Sequence, residues 1–283
     1  MDRLLAYGTS RPSAFLAVAL GAMALEYLMG LLLRHETHEW RETAASFGVA
    51  LGRSLTRGLE AALAVGPAGY LYAHRLFRFD PLTAPALLGL LLATEFVYYW
   101  HHRASHRIRW MWATHAVHHS ATRLNLTAAI RLGWTGAFSG SALFFLPLIW
   151  LGFHPVTLAA MFGLNLAYQL FIHTELIGRL GPFEWVFNTP QHHRVHHAAN
   201  AACLDRNYGG MLIIYDRLFG TLAAPPKDEK LRYGLVGGIE SHNPIRIALG
   251  EWGTMLKDAR QAGSWRRRLQ LLFGAPGAAE PVP

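Results

Sequence analysis

Apolar residues in this chain gather in long unbroken runs, not in the alternations or narrow stripes of a soluble fold. Ala14 to Leu33 is apolar apart from Glu26, close to the roughly 20 residues a helix needs to cross a bilayer. A charged stretch, Arg34 to Glu42 (RHETHEWRE), follows it. Between Ala44 and Phe77 the apolar pattern is interrupted by Arg53, Arg57 and Glu60, and a second span is expected over 55–74. Leu82 to Trp100, with Pro81 and Pro85 at its start, is a third run. Leu132 to Leu151 and Val156 to Thr174 are two more, separated only by GFHP at 152–155, a connection short enough for a helical hairpin.

From Glu175 onward no run is long enough to cross, and 175–224 reads as a compact helical cap ended by the AAPP break at Ala223 to Pro226. Further on, Leu249, Trp252, Met255, Leu256 and Ala259 recur at helical spacing, with Arg266 to Arg268 beyond them. That pattern suits an amphipathic helix lying in the headgroup layer. The closing GAAEPVP is expected to fray.

The predicted fold is therefore all-α, a multi-pass membrane helical bundle with a cytoplasmic helical cap. It divides into an N-terminal membrane region (1–80), a catalytic region of spans plus cap (81–224) and a C-terminal interfacial helix and tail (225–283). Composition agrees with this division: 52% hydrophobic, 16% charged, and a mean hydropathy of +0.18. The first apolar run is too long for the core of a cleavable signal and is expected to be retained.

A net charge of +8 and a pI near 9.9 could point to nucleic acid, but the arginines flank apolar spans and fit anionic lipid headgroups better. All of the 26 Lys and Arg except Arg3, Arg11, Arg75 and Arg78 fall on one side of the expected spans. The positive-inside rule makes that side cytoplasmic. The single cysteine, Cys203, excludes an internal disulfide and any thiolate-held zinc or iron–sulfur site.

That same side carries the unusual chemistry. His193, His196 and His197 lie at i, i+3, i+4, a spacing that places three imidazoles on one face of a helical turn, and His115, His118 and His119 repeat it. His102 and His106 form a pair just upstream, and His173 ends a span on the same side. One metal ion accepts about four to six donors, so this set is expected to hold two. His101 and His192 project about 100° away from their neighbours and read as residues beside the ligands. A lone histidine is ordinarily a surface or hydrogen-bonded residue, which is the reading for His35, His38, His74, His154 and His242.

A liganding imidazole also needs an acceptor on its other ring nitrogen, and the carboxylates near the clusters are Glu95, Glu175, Asp205 and Asp216. Glu95 lies inside an apolar run on the face of His102, where a carboxylate implies a function. Asp205 and Asp216 serve equally well as supporting acceptors or as capping or salt-bridge residues with Arg206 and Arg217. Tyr98, Tyr99 and Trp100 fit an interfacial aromatic belt.

Three motifs carry a resemblance: EFVYYWHHRASH (Glu95 to His106), HAVHHS (His115 to Ser120) and HHRVHH (His192 to His197). In order and spacing they resemble the boxes of the fatty acid hydroxylase and sterol desaturase superfamily. The run from His173 to His197 and LDRNYGGMLIIYDRLFGT beyond it are most similar to the alkylglycerol monooxygenase branch. The chain departs from the pattern where Ala198, Ala199 and Asn200 replace a Gly-Arg pair and where Glu95 stands for a frequent Asp.

The resemblance implies a membrane enzyme with two iron ions, for which zinc can substitute on purification. It would use O2 to hydroxylate an unactivated C–H of a lipid, in the branch the carbon beside an ether oxygen. A sterol, fatty-acid or carotenoid hydroxylase or desaturase of the same superfamily is the alternative. The sequence has no cytochrome b5, flavin, dinucleotide or ferredoxin fingerprint, so electrons are expected from an external donor, for which the branch implies tetrahydropterin. A zinc hydrolase would leave most of the histidines without a role, and a metal transporter would carry its polar residues along the spans.

Overall fold

The computed structural model describes residues 12–277 except Ile239, so the polar lead at 1–11 and the tail beyond Gly277 lie outside the described residues. Among these residues there is no strand, only two isolated bridges, Phe187 with Leu212 and Ala198 with Tyr233. Helices α1 (Pro12–Leu32), α2 (Trp40–Ala73) and α3 (Ala84–Arg107) are followed by α4 (Arg109–His119). Then come α5 (Gly136–Ser139), α6 (Ser141–Leu151), α7 (Pro155–Ile172), α8 (Pro190–His197) and α9 (Ile214–Leu218). The chain closes with α10 (Pro244–Gln261) and α11 (Trp265–Phe273).

Local chemistry sets these limits. The Glu39 carboxylate accepts the amides of Arg41 (3.0 Å) and Glu42 (2.8 Å) and caps α2. At the hairpin, His154 Nδ1 accepts the Val156 amide at 3.2 Å ahead of Pro155, which opens α7.

Among the described residues two helices, α1 and α7, are long and apolar enough to cross a membrane. The run expected at 55–74 lies inside the 34-residue α2, where Arg53 and Glu60 pair along the helix. The run at 82–100 continues without a break into the His102 turn of α3. The run expected at Leu132 to Leu151 is not one helix. Gly140, at φ +84°, separates α5 from α6, and the 11 residues of α6 rise only about 17 Å against a hydrocarbon core of about 30 Å.

Two apolar cores tie the long helices together. Leu90, Leu148, Ile149 and Leu158 join α3, α6 and α7, with Leu71 and Tyr72 of α2 against them. Ala19 and Met23 of α1 pack on Leu126 and Leu170. The outward faces remain apolar and exposed, including Leu16, Leu28, Leu31, Leu55, Leu88 and Leu164. Exposed apolar faces on several long helices mark contact with lipid or with another protein.

The expected cap is less helical than its sequence suggested. Between α7 and α10 only α8 and the five-residue α9 are α-helical, and the rest is turns, 3-10 segments and extended loop around Val195, Ala198 and Cys203. The C-terminal amphipathic set is divided. Ala248, Met255 and Ala259 are buried where α10 packs along α4, and Trp252 donates from Nε1 to Thr135 Oγ1 at 2.8 Å, whereas Leu249 and Leu256 face outward. Buried Arg109 fixes α10 by pairing with Asp258 at 2.6 Å and Glu251 at 3.6 Å. Met255→Ala is expected to cost about 2–5 kcal/mol and Leu256→Ala under about 1 kcal/mol, read as denaturation midpoints in detergent. Equal effects would place α10 differently.

Candidate metal centre

All nine clustered histidines converge at the end of the bundle, in two sets. His102, His106, His115, His119 and His196 form one, and His118, His173, His193 and His197 the other. Within each set the ligand atoms lie within 4.8 Å of one another. Each HxxHH box is thus shared. In α4, His115 and His119 face the first set and His118 the second; in α8, His196 faces the first and His193 and His197 the second. The i, i+3, i+4 spacing gives one broad face, and that face straddles two centres.

Ring nitrogens approach closely within the sets: His102 Nε2 to His115 Nε2 is 3.0 Å, His118 Nε2 to His173 Nε2 is 3.1 Å, and His173 Nε2 to His193 Nε2 is 2.9 Å. The Nε2 atoms of His106, His119, His196 and His197 are buried with no hydrogen-bond partner. Buried nitrogens are seldom left unpaired.

The far side of several rings is held by backbone. His102 Nδ1 donates to Tyr208 O (2.8 Å), His173 Nδ1 to Gln169 O (2.6 Å), His196 Nδ1 to Arg206 O (2.9 Å) and His118 Nδ1 to Arg131 O (3.3 Å). Among the described residues these histidines have no carboxylate acceptor, so the expected role of Glu95, Asp205 and Asp216 as direct acceptors needs correction.

Glu95 is buried and receives Asn165 Nδ2 (2.5 Å) and the amides of Met211 (2.8 Å) and Leu212 (2.9 Å). Asn165 Oδ1 in turn accepts from Gln169, whose own side-chain oxygen accepts the Tyr98 hydroxyl. This ladder ties α3, α7 and the 208–212 loop together, and through Gln169 it reaches the carbonyl that orients His173. Asp216 receives the amides of Tyr208 and Gly209, each at 2.7 Å, so it holds the loop whose carbonyl orients His102. Asp205 pairs with Arg107 at 2.6 Å on the surface, not with Arg206. Glu175 accepts the Tyr233 hydroxyl at 2.9 Å.

Two contributors had no signal in the side-chain pattern, because each acts on a ligand candidate through its main-chain oxygen. The Tyr208 ring also packs on His102, His106 and His196. Fully buried Arg131 is bonded to Glu42, Ser46 and Ser120. A buried Arg–Glu pair could have been suspected only from a charged residue in a nearly apolar stretch. His101 lies outside both sets, against Phe144 and Phe145, and His192 bonds Thr189.

Burial, with neighbouring imidazoles reinforcing it in most cases, holds all nine rings below the usual histidine range: His118 falls to about 4 and His196 to about 3. In both of those rings the carbonyl bond at Nδ1 opposes the burial. Burial likewise raises Asp216 above the usual carboxylate range, against the bonds from Thr221, Tyr208 and Gly209. Neutral imidazoles with their free nitrogens turned inward are the state in which histidine binds a metal.

Fold and site together define an all-helical protein with paired, buried histidine sets of metal-ligand spacing at the end of an apolar bundle. Residues 87–221 match the fatty acid hydroxylase family. The chain is 38% identical over 213 residues to an alkylglycerol monooxygenase of Xenopus tropicalis, covering 74% of this chain and 47% of that protein. With the Homo sapiens alkylglycerol monooxygenase it is 38% identical over 212 residues, 74% of this chain and 46% of the relative. It thus spans about half the length of these relatives. With ornithine lipid hydroxylase OlsE of Rhizobium tropici it is 30% identical over 239 residues, 80% of this chain and 72% of that protein. No solved structure matches. The chain belongs to the fatty acid hydroxylase family.

Glu42→Ala would strand the Arg131 guanidinium and is expected to cost about 3–5 kcal/mol in thermal or chemical denaturation. Glu95→Gln would turn an amide group toward three N–H donors and is expected to cost about 1–3 kcal/mol. A neutral result at either position would remove it from the framework of the centre.

Proposed function

We propose that this protein is a membrane-embedded lipid hydroxylase whose nine histidines hold two iron ions. The observation that carries the reading is the sharing of both HxxHH boxes between the two histidine sets, because shared boxes hold two ions close together. The donor set fits such a group. Three ring-nitrogen pairs lie 2.9–3.1 Å apart and all the donors of a set lie within 4.8 Å of one another, so each set could close on a single ion. A single-zinc hydrolase would leave most of these nine donors without a role.

When bound, a pair of irons activates dioxygen with two supplied electrons for insertion into a C–H bond. The chain's own residues do the rest. Backbone carbonyls of Tyr208, Gln169, Arg206 and Arg131 orient the rings, the Glu95 ladder clamps α3 to α7, and seven of the nine rings are buried from solvent, His106 and His115 being half-buried.

The exposed apolar faces of α1, α2, α3 and α7 lie in lipid in this reading, and the 81–224 region forms the catalytic unit. The arginine-rich, histidine-bearing side faces the cytoplasm, as the distribution of Lys and Arg supports. The substrate is an alkyl chain entering from the bilayer. The named activities of the relatives favour an alkylglycerol-type or other polar lipid, and hydroxylation beside an ether oxygen would give a hemiacetal that falls to an aldehyde and an alcohol. Electrons come from an external donor of the tetrahydropterin class.

Protein purified anaerobically is expected to carry iron and to consume oxygen on adding reductant with an ether lipid, a sterol or a fatty acid, the responding lipid naming the substrate class. Zinc with lipid hydrolysis, or iron with no oxygen uptake on any lipid, would overturn the reading. His196→Ala and His118→Ala should each abolish turnover and lower bound metal while leaving membrane insertion intact, and His154→Ala should leave turnover and bound metal nearly unchanged. Full activity in either of the first two removes that ring from the ligand set.

A further inference from the structure

Glu26 is the only acid in the apolar run of α1, and the metal centre does not use it. It is 5% exposed. Its Oε2 accepts the Leu126 amide at 2.7 Å, and its Oε1 has no hydrogen-bond partner. His38 Nε2, also buried without a hydrogen-bond partner, stands 3.6 Å from Oε2, and His38 Nδ1 is 2.8 Å from the Thr37 hydroxyl.

On one side of this dyad lies a cavity of about 300 Å³ at the C-terminal end of α1, lined in part by Tyr27, Arg34, His35, Thr37 and His38. The Glu26 carboxylate also interacts with the side-chain hydroxyl of Thr174, which directly follows His173, and lies in the field of the Glu175 carboxylate. The segment begun by Leu126 ends at Arg131, whose carbonyl holds His118. The dyad therefore touches an outer cavity through His38 and, through Glu26, two chain segments that carry or brace the four-histidine set.

Pinning one amide does not explain this arrangement. A glutamine could accept the Leu126 N–H without burying an ionisable group, and neither the unpaired Oε1 nor the approach of His38 would be needed. Hydroxylation by the proposed centre has a requirement that does explain it. A lipid C–H, O2, two electrons and two protons give the alcohol and one water; with the donor outside the histidine sets, protons released by the donor or taken from water must reach the buried site by a path of their own.

We propose that Glu26 and His38 form the proton-uptake relay of the histidine centre. His38 takes a proton from the cavity side and passes it from Nε2 to the Glu26 carboxylate. The imidazole returns to neutral, and Glu26 passes the proton to the Thr174 hydroxyl, which gives up its own on the His173 side. A small swing of the imidazole closes the 3.6 Å gap. The relay uses no oxidant of its own; the external donor supplies the electrons.

The relay rests on the hydroxylase reading, and an infrared measurement on full-length protein separates their failures. In deuterated buffer, the carboxyl band removed by Glu26→Gln is expected to exchange promptly in unaltered protein and about tenfold more slowly in His38→Phe. Unchanged exchange in His38→Phe, or no exchangeable carboxyl band lost in Glu26→Gln at any pH, overturns the relay whether or not any lipid is turned over.

Where the unaltered protein hydroxylates a lipid, Glu26→Gln should keep its metal and slow turnover about a hundredfold with a larger solvent deuterium effect. Glu26→Asp should recover part of the rate. Wild-type turnover in metal-loaded Glu26→Gln overturns the relay. Should Glu26→Gln fail to fold, His38→Phe and Glu26→Asp decide by the same readouts.

Discussion

The architecture depends on one electrostatic constraint: nine neutral imidazoles with their nitrogens turned toward two shared points. An unpaired buried nitrogen is costly, and ring nitrogens brought about 3 Å apart cannot all satisfy one another, since a neutral imidazole offers one donor and one acceptor. The bundle solves half of this problem with main chain. Carbonyls of Tyr208, Gln169, Arg206 and Arg131 accept from Nδ1 of four rings and so commit their Nε2 atoms to the interior. A pair of cations would satisfy the other half.

The remaining polar interior supports those carbonyls. Glu95, Asn165, Gln169 and Tyr98 form a ladder between two apolar helices, Asp216 ties down the Tyr208 turn, and the Glu42–Arg131 pair fixes the 131 carbonyl. Charges at these depths are expensive unless fully partnered, and here each has several partners. Glu26 and His38 depart from that pattern, each keeping one buried polar atom without a hydrogen bond.

The meeting of histidines from distant segments was legible in the sequence because helical spacing and span ends are side-chain patterns. Which ring joins which set was not, since i, i+3, i+4 defines a face and not the number of centres beneath it. The carboxylates were assigned from proximity in sequence and proved to bind backbone amides, Asn165 or Arg107, because a main-chain acceptor leaves no trace in residue identity. The break at Gly140 was hidden inside an apolar run whose composition reads as one span. The α10 stripe carried two meanings, its Met255 side packing on α4 and its Leu256 side remaining outside.

The most direct test of the paired centre is anomalous diffraction at the iron edge from protein reconstituted with ferrous iron. Two peaks are predicted, one among His102, His106, His115, His119 and His196 and the other among His118, His173, His193 and His197. A single peak, or iron bound away from these rings, would contradict the account.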